Sequence, residues 1–201
     1  MTILKRTFDL ISVGVLAIVL LPVFFIVAVT ILIKDGHPVF FVSERMRSPT
    51  NGFSLVKFRT MENDTMDGGP SGGHKASKIT QTGYFLRRTR LDELPQLWNV
   101  LVGDISFVGP RPPLRVYVEK YPDLYAKVLR SRPGITGLAS VKFHKHEEIL
   151  LASATSAEEA NEIYSRSCVP RKARLDLIYQ RNRNFCFDIQ IMLMTVFKML
   201  R

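Results

Sequence analysis

Leu10 to Ile33 is a run of 24 residues without a charged side chain. As a straight helix it would be about 36 Å long, slightly more than the ~30 Å hydrocarbon core of a bilayer. It is too long for the apolar region of a signal peptide, and no small-x-small cleavage site follows it. Pro22 stands at the middle of the run. There it removes a helix hydrogen bond and clashes with the carbonyl of Ile18. Lys5 and Arg6 precede the run, and Lys34, Arg45 and Arg47 follow it. Positive charge marks the cytoplasmic side. If both flanks stay inside, the segment must enter the bilayer and turn back at Pro22. A proline-kinked spanning helix is the alternative, and residue physics alone leaves the two open.

The full chain has 201 residues, enough for one domain with an appended membrane element. We divide it into a membrane segment, residues 1–36, and a catalytic domain, residues 37–201. The net charge of +10 fits nucleic acid, an anionic membrane surface or a polyphosphate substrate. The membrane run favours the last two. The two cysteines, Cys168 and Cys186, have no metal-ligand spacing and cannot make a disulfide framework, consistent with a reducing compartment.

The rest reads as α+β. Val39–Val42 and Phe53–Arg59 have strand composition, joined by the turn-rich link Arg47–Gly52. Asn63–Lys78 holds four glycines and little apolar content, a loop that either tolerates insertion or covers an active site. Tyr84–Arg90 reads as a short basic helix. Leu94, Leu97, Val100 and Leu101 recur at helical spacing, with Gly103 as the stop. Pro122 breaks Val116–Arg130, and Ser156 with Glu159 makes a capping box. Asp188–Leu200 is apolar nearly all round, which suits the core or a membrane interface.

Asp92 and Glu93 are adjacent carboxylates, with Arg87, Arg88 and Arg90 before them and Arg111 after. One reading is two solvated acids in the first turn of a helix. The other is chemistry on a phosphate. A carboxylate can attack phosphorus to form an acyl phosphate, once Mg²⁺ and arginines neutralise the substrate. Lys57 and Arg59 alternate on one strand face and suit a diphosphate as well as solvent. Arg111 in Gly109–Pro113 and Arg132 in Arg132–Gly137 sit in Pro/Gly turns. Such turns let backbone N–H groups approach an anion. His144 and His146 on a strand are candidate metal ligands, but no third ligand is evident. Trp98 and Asn99 read as packing and capping residues.

These motifs resemble the small monotopic phosphoglycosyl transferases, the bacterial sugar transferase family. The resemblance is carried by the apolar run with its central proline, Lys57–Met61, Ile79-Thr80 with Gly83, and Leu86–Thr89. Leu91–Val100, Gly103-Asp104, Gly109–Pro112 and Arg132–Gly137 complete it. It implies a re-entrant helix-break-helix segment, a small strand hairpin, and amphipathic and interfacial helices at the cytoplasmic face of the bacterial inner membrane. It also implies transfer of a sugar phosphate from a UDP-sugar to polyprenol phosphate with release of UMP. Asp92 would be the nucleophile, would carry a covalent sugar-phosphate intermediate, and would help hold the cofactor Mg²⁺. Glu93 would act as acid or base, or position the acceptor. Lys57, Arg59, Arg88, Arg111 and Arg132 fall in the family's basic motifs, and from charge alone we expect these and Arg87 to bind substrate. The expected partners are polyprenol phosphate, the UDP-sugar, anionic lipid and downstream glycosyltransferases. Nucleic acid is not expected, and a homodimer is left open.

Three departures stand out. Leu21 replaces the serine often found before the central proline. Arg47 replaces a glycine after Glu44-Arg45. Leu138–Phe143 and a longer segment replace the stretch Ala-Gln-Val-Asn-Gly-Arg, so donor specificity does not transfer from other members. The rival reading is a non-catalytic, basic membrane-surface protein that holds anionic lipid or a partner. Such a protein gains nothing from an acid pair among its arginines.

Overall fold

The computed structural model describes residues 2–62 and 78–199. The Asn63–Lys78 loop of the sequence reading therefore lies outside the described residues, except at its final residue. Helix α1 (Ile3–Lys34) begins at Thr2, whose hydroxyl accepts from the Lys5 N–H. A helix-break-helix was expected, but the chain is one helix with Pro22 in its interior. Proline deletes one amide donor and leaves the turns on either side able to continue.

This helix is long and apolar enough to cross a membrane, yet it lies against the rest of the chain along its length. Asp9, Val13, Val27 and Ile31 are buried, three or four residues apart or multiples of that spacing, so they share one face. Val13 packs with Leu55 and Val100, whereas Val27 and Ile31 pack with Phe58 and Leu86. The opposite face, including Ile11, Ile18, Phe25 and Ile33, is exposed. Both ends are tied to the same body. Lys5 Nζ donates to the Val108 carbonyl (2.9 Å) and Asp188 (2.5 Å), and Arg6 donates to the carbonyls of Val100 and Leu101. At the other end, Arg59 donates to the carbonyls of Asp35 and Gly36.

Strands β1 (Phe40–Met46) and β2 (Gly52–Phe58) form the expected antiparallel hairpin, with Phe41 opposite Lys57. Helix α2 (Gln81–Thr89) is capped by Thr80. Helix α3 (Gln96–Val102) ends at Gly103, where a φ of 90° suits a residue without Cβ. Asn99 joins α3 to β2: its Oδ1 accepts from Val56 N–H and its Nδ2 donates to the Ser54 carbonyl. Trp98, read as packing, is instead 61% exposed, beside exposed Leu101 and Val102.

Strands β3 (Ser106–Val108) and β4 (Gly134–Thr136) form a short parallel pair that the sequence reading did not contain. Between them lie α4 (Arg115–Lys120) and α5 (Pro122–Val128), separated as Pro122 foretold. The pair needs its glycines for backbone approach. A Cβ on Gly109 would stand 2.2 Å from the Arg132 carbonyl oxygen, and one on Gly137 would stand 2.1 Å from that of Gly109. The Gly109 and Gly134 N–H groups already donate to Thr136 and Pro110 carbonyls, so they are not the anion donors the turns suggested. Gly109→Ala must push these segments apart and should destabilise the protein by about 1–3 kcal/mol or more. Denaturation in detergent checks this; an unchanged midpoint would refute it.

Helices α6 (Leu138–Ala152), α7 (Ala157–Ile163), α8 (Val169–Asn182) and α9 (Phe185–Met199) complete the fold. Ser156 caps α7 through the Glu159 N–H, as its capping box implied. A π-helical turn, Tyr164–Cys168, joins α7 to α8. In α9, Ile191 is buried and Phe197 exposed, so one apolar side enters the core and the other remains open. Cys168 and Cys186 are both free.

Candidate active site

The acid pair lies on a 3₁₀ turn, Leu91–Glu93, wedged between α2 and α3. Arg90 makes the corner with φ 58° and ψ 14°, a left-handed conformation that costs a non-glycine residue about 1–2 kcal/mol. Leu91 and Leu94 pack into the cluster around Phe58 and anchor the turn. Asp92 and Glu93 are thereby buried, 7% and 8% exposed, rather than solvated at a helix start.

Cations converge on one oxygen. Glu93 Oε1 lies 3.0 Å from Lys57 Nζ, 2.9 Å from Arg111 Nη2 and 3.6 Å from Arg90 Nη1. Lys57 comes from the last turn of the β2 ladder, and Arg111 from the turn that follows β3. Burial alone would raise the Glu93 pKa, but Arg111, Lys57 and Arg90 outweigh it and hold the carboxyl below the ordinary range. Glu93 in turn raises the pKa of Arg111, while burial pushes Lys57 down. Its contacts with three cations favour the ionised form of Glu93, an arrangement that suits positioning.

Asp92 differs. Its Oδ2 is 4.0 Å from Lys57 Nζ, and its buried Oδ1 has no hydrogen-bond partner among the described residues. Burial raises its pKa, Lys57 opposes this, and neighbouring Glu93 adds to it. A desolvated carboxylate with an open oxygen is more basic and a better nucleophile than its neighbour.

Both acids line a cavity of about 1080 Å³ that reaches from Leu16 and Leu20 of α1, past Lys57 and Arg111, to Lys172 and Asp176 of α8. Arg87 lines it and donates through Nε to Thr60 Oγ1 (2.8 Å). Arg88 lines it too, exposed and without an ion pair among the described residues. Arg59 also borders the cavity, but its guanidinium binds the carbonyls of Asp35, Gly36 and His37 and fixes the end of α1. Arg132 is not part of the cavity; it lies near Arg6 and Arg47, away from the acid pair. The two Arg-bearing turns therefore do not make one cradle.

His144 and His146 stand on α6, not on a strand, and His144 Nε2 is 3.4 Å from Glu148. No group of three His, Cys, Asp or Glu residues able to hold a metal occurs among the described residues. The sequence reading missed Arg90 as a site residue. Its place directly before the acid pair was the available signal.

Residues 1–201 match the family described as bacterial sugar transferase. The chain belongs to this family. Among its relatives is the uncharacterized sugar transferase EpsL of Bacillus subtilis (strain 168), 37% identical over 199 residues, covering 98% of this chain and 88% of that protein. The UDP-glucose:undecaprenyl-phosphate glucose-1-phosphate transferase of Escherichia coli (strain K12) is 33% identical over 98% of this chain, which spans 40% of that protein. The UDP-N-acetylgalactosamine-undecaprenyl-phosphate N-acetylgalactosaminephosphotransferase of Aeromonas hydrophila is 35% identical over 69% of this chain and 34% of its own length. The family resemblance read from the motifs is thus borne out, and the chain matches two of these relatives over a minor part of their length.

Proposed function

We propose that this chain transfers a sugar 1-phosphate from a UDP-sugar to polyprenol phosphate, of which undecaprenyl phosphate is the form named in its relatives. The observation that carries the reading is the buried, unpartnered Oδ1 of Asp92, a residue that lines a cavity bordered by cations and by the membrane helix. In the first step a carboxylate oxygen of Asp92 attacks the phosphorus that bears the sugar. The phosphoanhydride bond breaks and UMP leaves with the bonding electrons. In the second step an oxygen of polyprenol phosphate attacks the same phosphorus. The acyl-phosphate bond breaks, the carboxylate returns, and a polyprenyl diphosphosugar is formed.

Glu93 holds Lys57, Arg90 and Arg111 where they meet the diphosphate, while Arg87 and Arg88 border its approach. Mg²⁺ fits Asp92, because this ion takes one or two carboxylates and completes its shell with phosphate oxygens and water. When bound it would neutralise diphosphate charge. The docking of both ends of the continuous α1 on one body, with an apolar face left open, supports a monotopic placement in which that face meets the membrane. In that placement both ends and the site lie at the cytoplasmic face of the inner membrane, where anionic lipid meets the basic flanks.

Product analysis tests the reading. Purified protein in nanodiscs, given Mg²⁺ and the right UDP-sugar, should release at most one equivalent of UMP per chain without acceptor and should turn over continuously only when polyprenol phosphate is added. UDP as the product would assign ordinary glycosyl transfer, and indifference to chelation would remove Mg²⁺.

A further inference from the structure

Beyond Arg111 the cavity changes character. Its far end is lined by Glu147 of α6, Tyr164 of the π-helical turn, and Lys172 and Asp176 of α8. Lys172 Nζ donates to Glu147 Oε2 (2.9 Å) and to the Tyr164 hydroxyl (3.1 Å). Asp176 is only 8% exposed and lines the cavity, and no hydrogen bond or ion pair between its carboxylate and another described residue is seen. Burial pushes its pKa up to about 7, against the pull of Lys172. A buried carboxylate left without donors is costly, and a ligand that brings hydroxyl groups would relieve it. The π-helical turn sets Tyr164 against Lys172, and such turns are frequent at functional sites.

The charge balance separates the two ends. The near end gathers Lys57, Arg90 and Arg111 around the acid pair. Around Tyr164 the lining brings two acids, Glu147 and Asp176, beside Lys172, whereas three cations crowd Glu93. A diphosphate is better matched by the cations at Glu93. A neutral polyol, with hydroxyl donors for the carboxylates, suits the far end.

We infer that Asp176, with Lys172, Glu147 and Tyr164, forms the subsite that hydrogen-bonds the hydroxyl groups of the transferred sugar and so selects the donor. This rests on the UDP-sugar reading above. It also gives a role to the α6 segment that departs from the family pattern, since Glu147 stands on that helix.

The test is direct binding to the full chain in nanodiscs, by calorimetry, with UDP-glucose, UDP-galactose, UDP-N-acetylgalactosamine and UDP itself. Wild type should bind one sugar nucleotide more tightly than its epimer. Asp176→Asn keeps the shape and should weaken that donor about tenfold, shrink the epimer preference, and leave UDP affinity unchanged. Equal weakening of UDP and donor would place the ribose there and overturn the assignment. Unchanged affinities, or a wild type without preference among the sugars, would also overturn it. If Asp176→Asn does not fold, Tyr164→Phe decides by the same comparison, with a smaller shift expected. Absence of UMP release alongside intact sugar selectivity would instead count against the proposed reaction and leave the subsite standing.

Discussion

Asp92→Asn is expected to abolish turnover, lowering kcat by roughly 10³-fold or more, and to leave the protein folded, if Asp92 is the nucleophile proposed above. The amide has nearly the shape of the carboxylate but no anionic oxygen with which to attack phosphorus. Stability should hold because the substitution removes a buried charge whose Oδ1 has no partner among the described residues. The raised pKa of Asp92 states the same point: the fold disfavours its ionised form. UMP release and a thermal melt on one preparation check both halves. Full activity would remove Asp92 as nucleophile, and an unfolded variant would contradict the energetic argument.

Glu93→Gln is expected to fail differently. Glu93 carries the charge that balances Lys57, Arg90 and Arg111, and the lysine and Arg111 contacts are 3.0 and 2.9 Å. Arg111 and Arg90 are about a third exposed and can still meet water, so losing their charged hydrogen-bond partner should cost about 1–3 kcal/mol, less than in a fully buried pair. The variant should therefore lose stability and activity together. Its pH dependence has a definite sign. The folded pKa of Glu93 lies below its ordinary 4.5. Its stabilisation is thus complete above that value and is lost as pH falls toward the folded pKa. The gap between wild type and Glu93→Gln should be full at neutral pH and should narrow in acid. A gap independent of pH would show that the loss is steric.

The contrast between the two acids could not be read from the sequence, although the pair itself could. Local patterns were legible where a few neighbouring residues decide the outcome. Gly103 ends α3, Ser156 caps α7, and the link after Met46 turns the hairpin. Long-range partners were not. Arg59 and Arg132 have the same charge as Arg111, yet only Arg111 reaches Glu93. The three-residue strands β3 and β4 are too short for alternation to register, and their pairing depends on glycine contacts across the turns. Trp98 sits at helical spacing but faces outward. His144 and His146, expected on a strand, stand on α6, which packs against α8. Asp176 drew no notice because its setting is made by helices that are distant in sequence.

The contact between Lys5 and Asp188, 183 positions apart, has a consequence for how the molecule comes into being. Helix α1 must wait at the membrane until α9 has been made before Lys5 finds its partner. Meanwhile Val13, Val27 and Ile31 have nothing to rest against until the hairpin and α3 arrive. A version pared back to begin after this helix would not be a soluble enzyme freed of its tether. It would be a body with an open trench where one wall of its interior belongs.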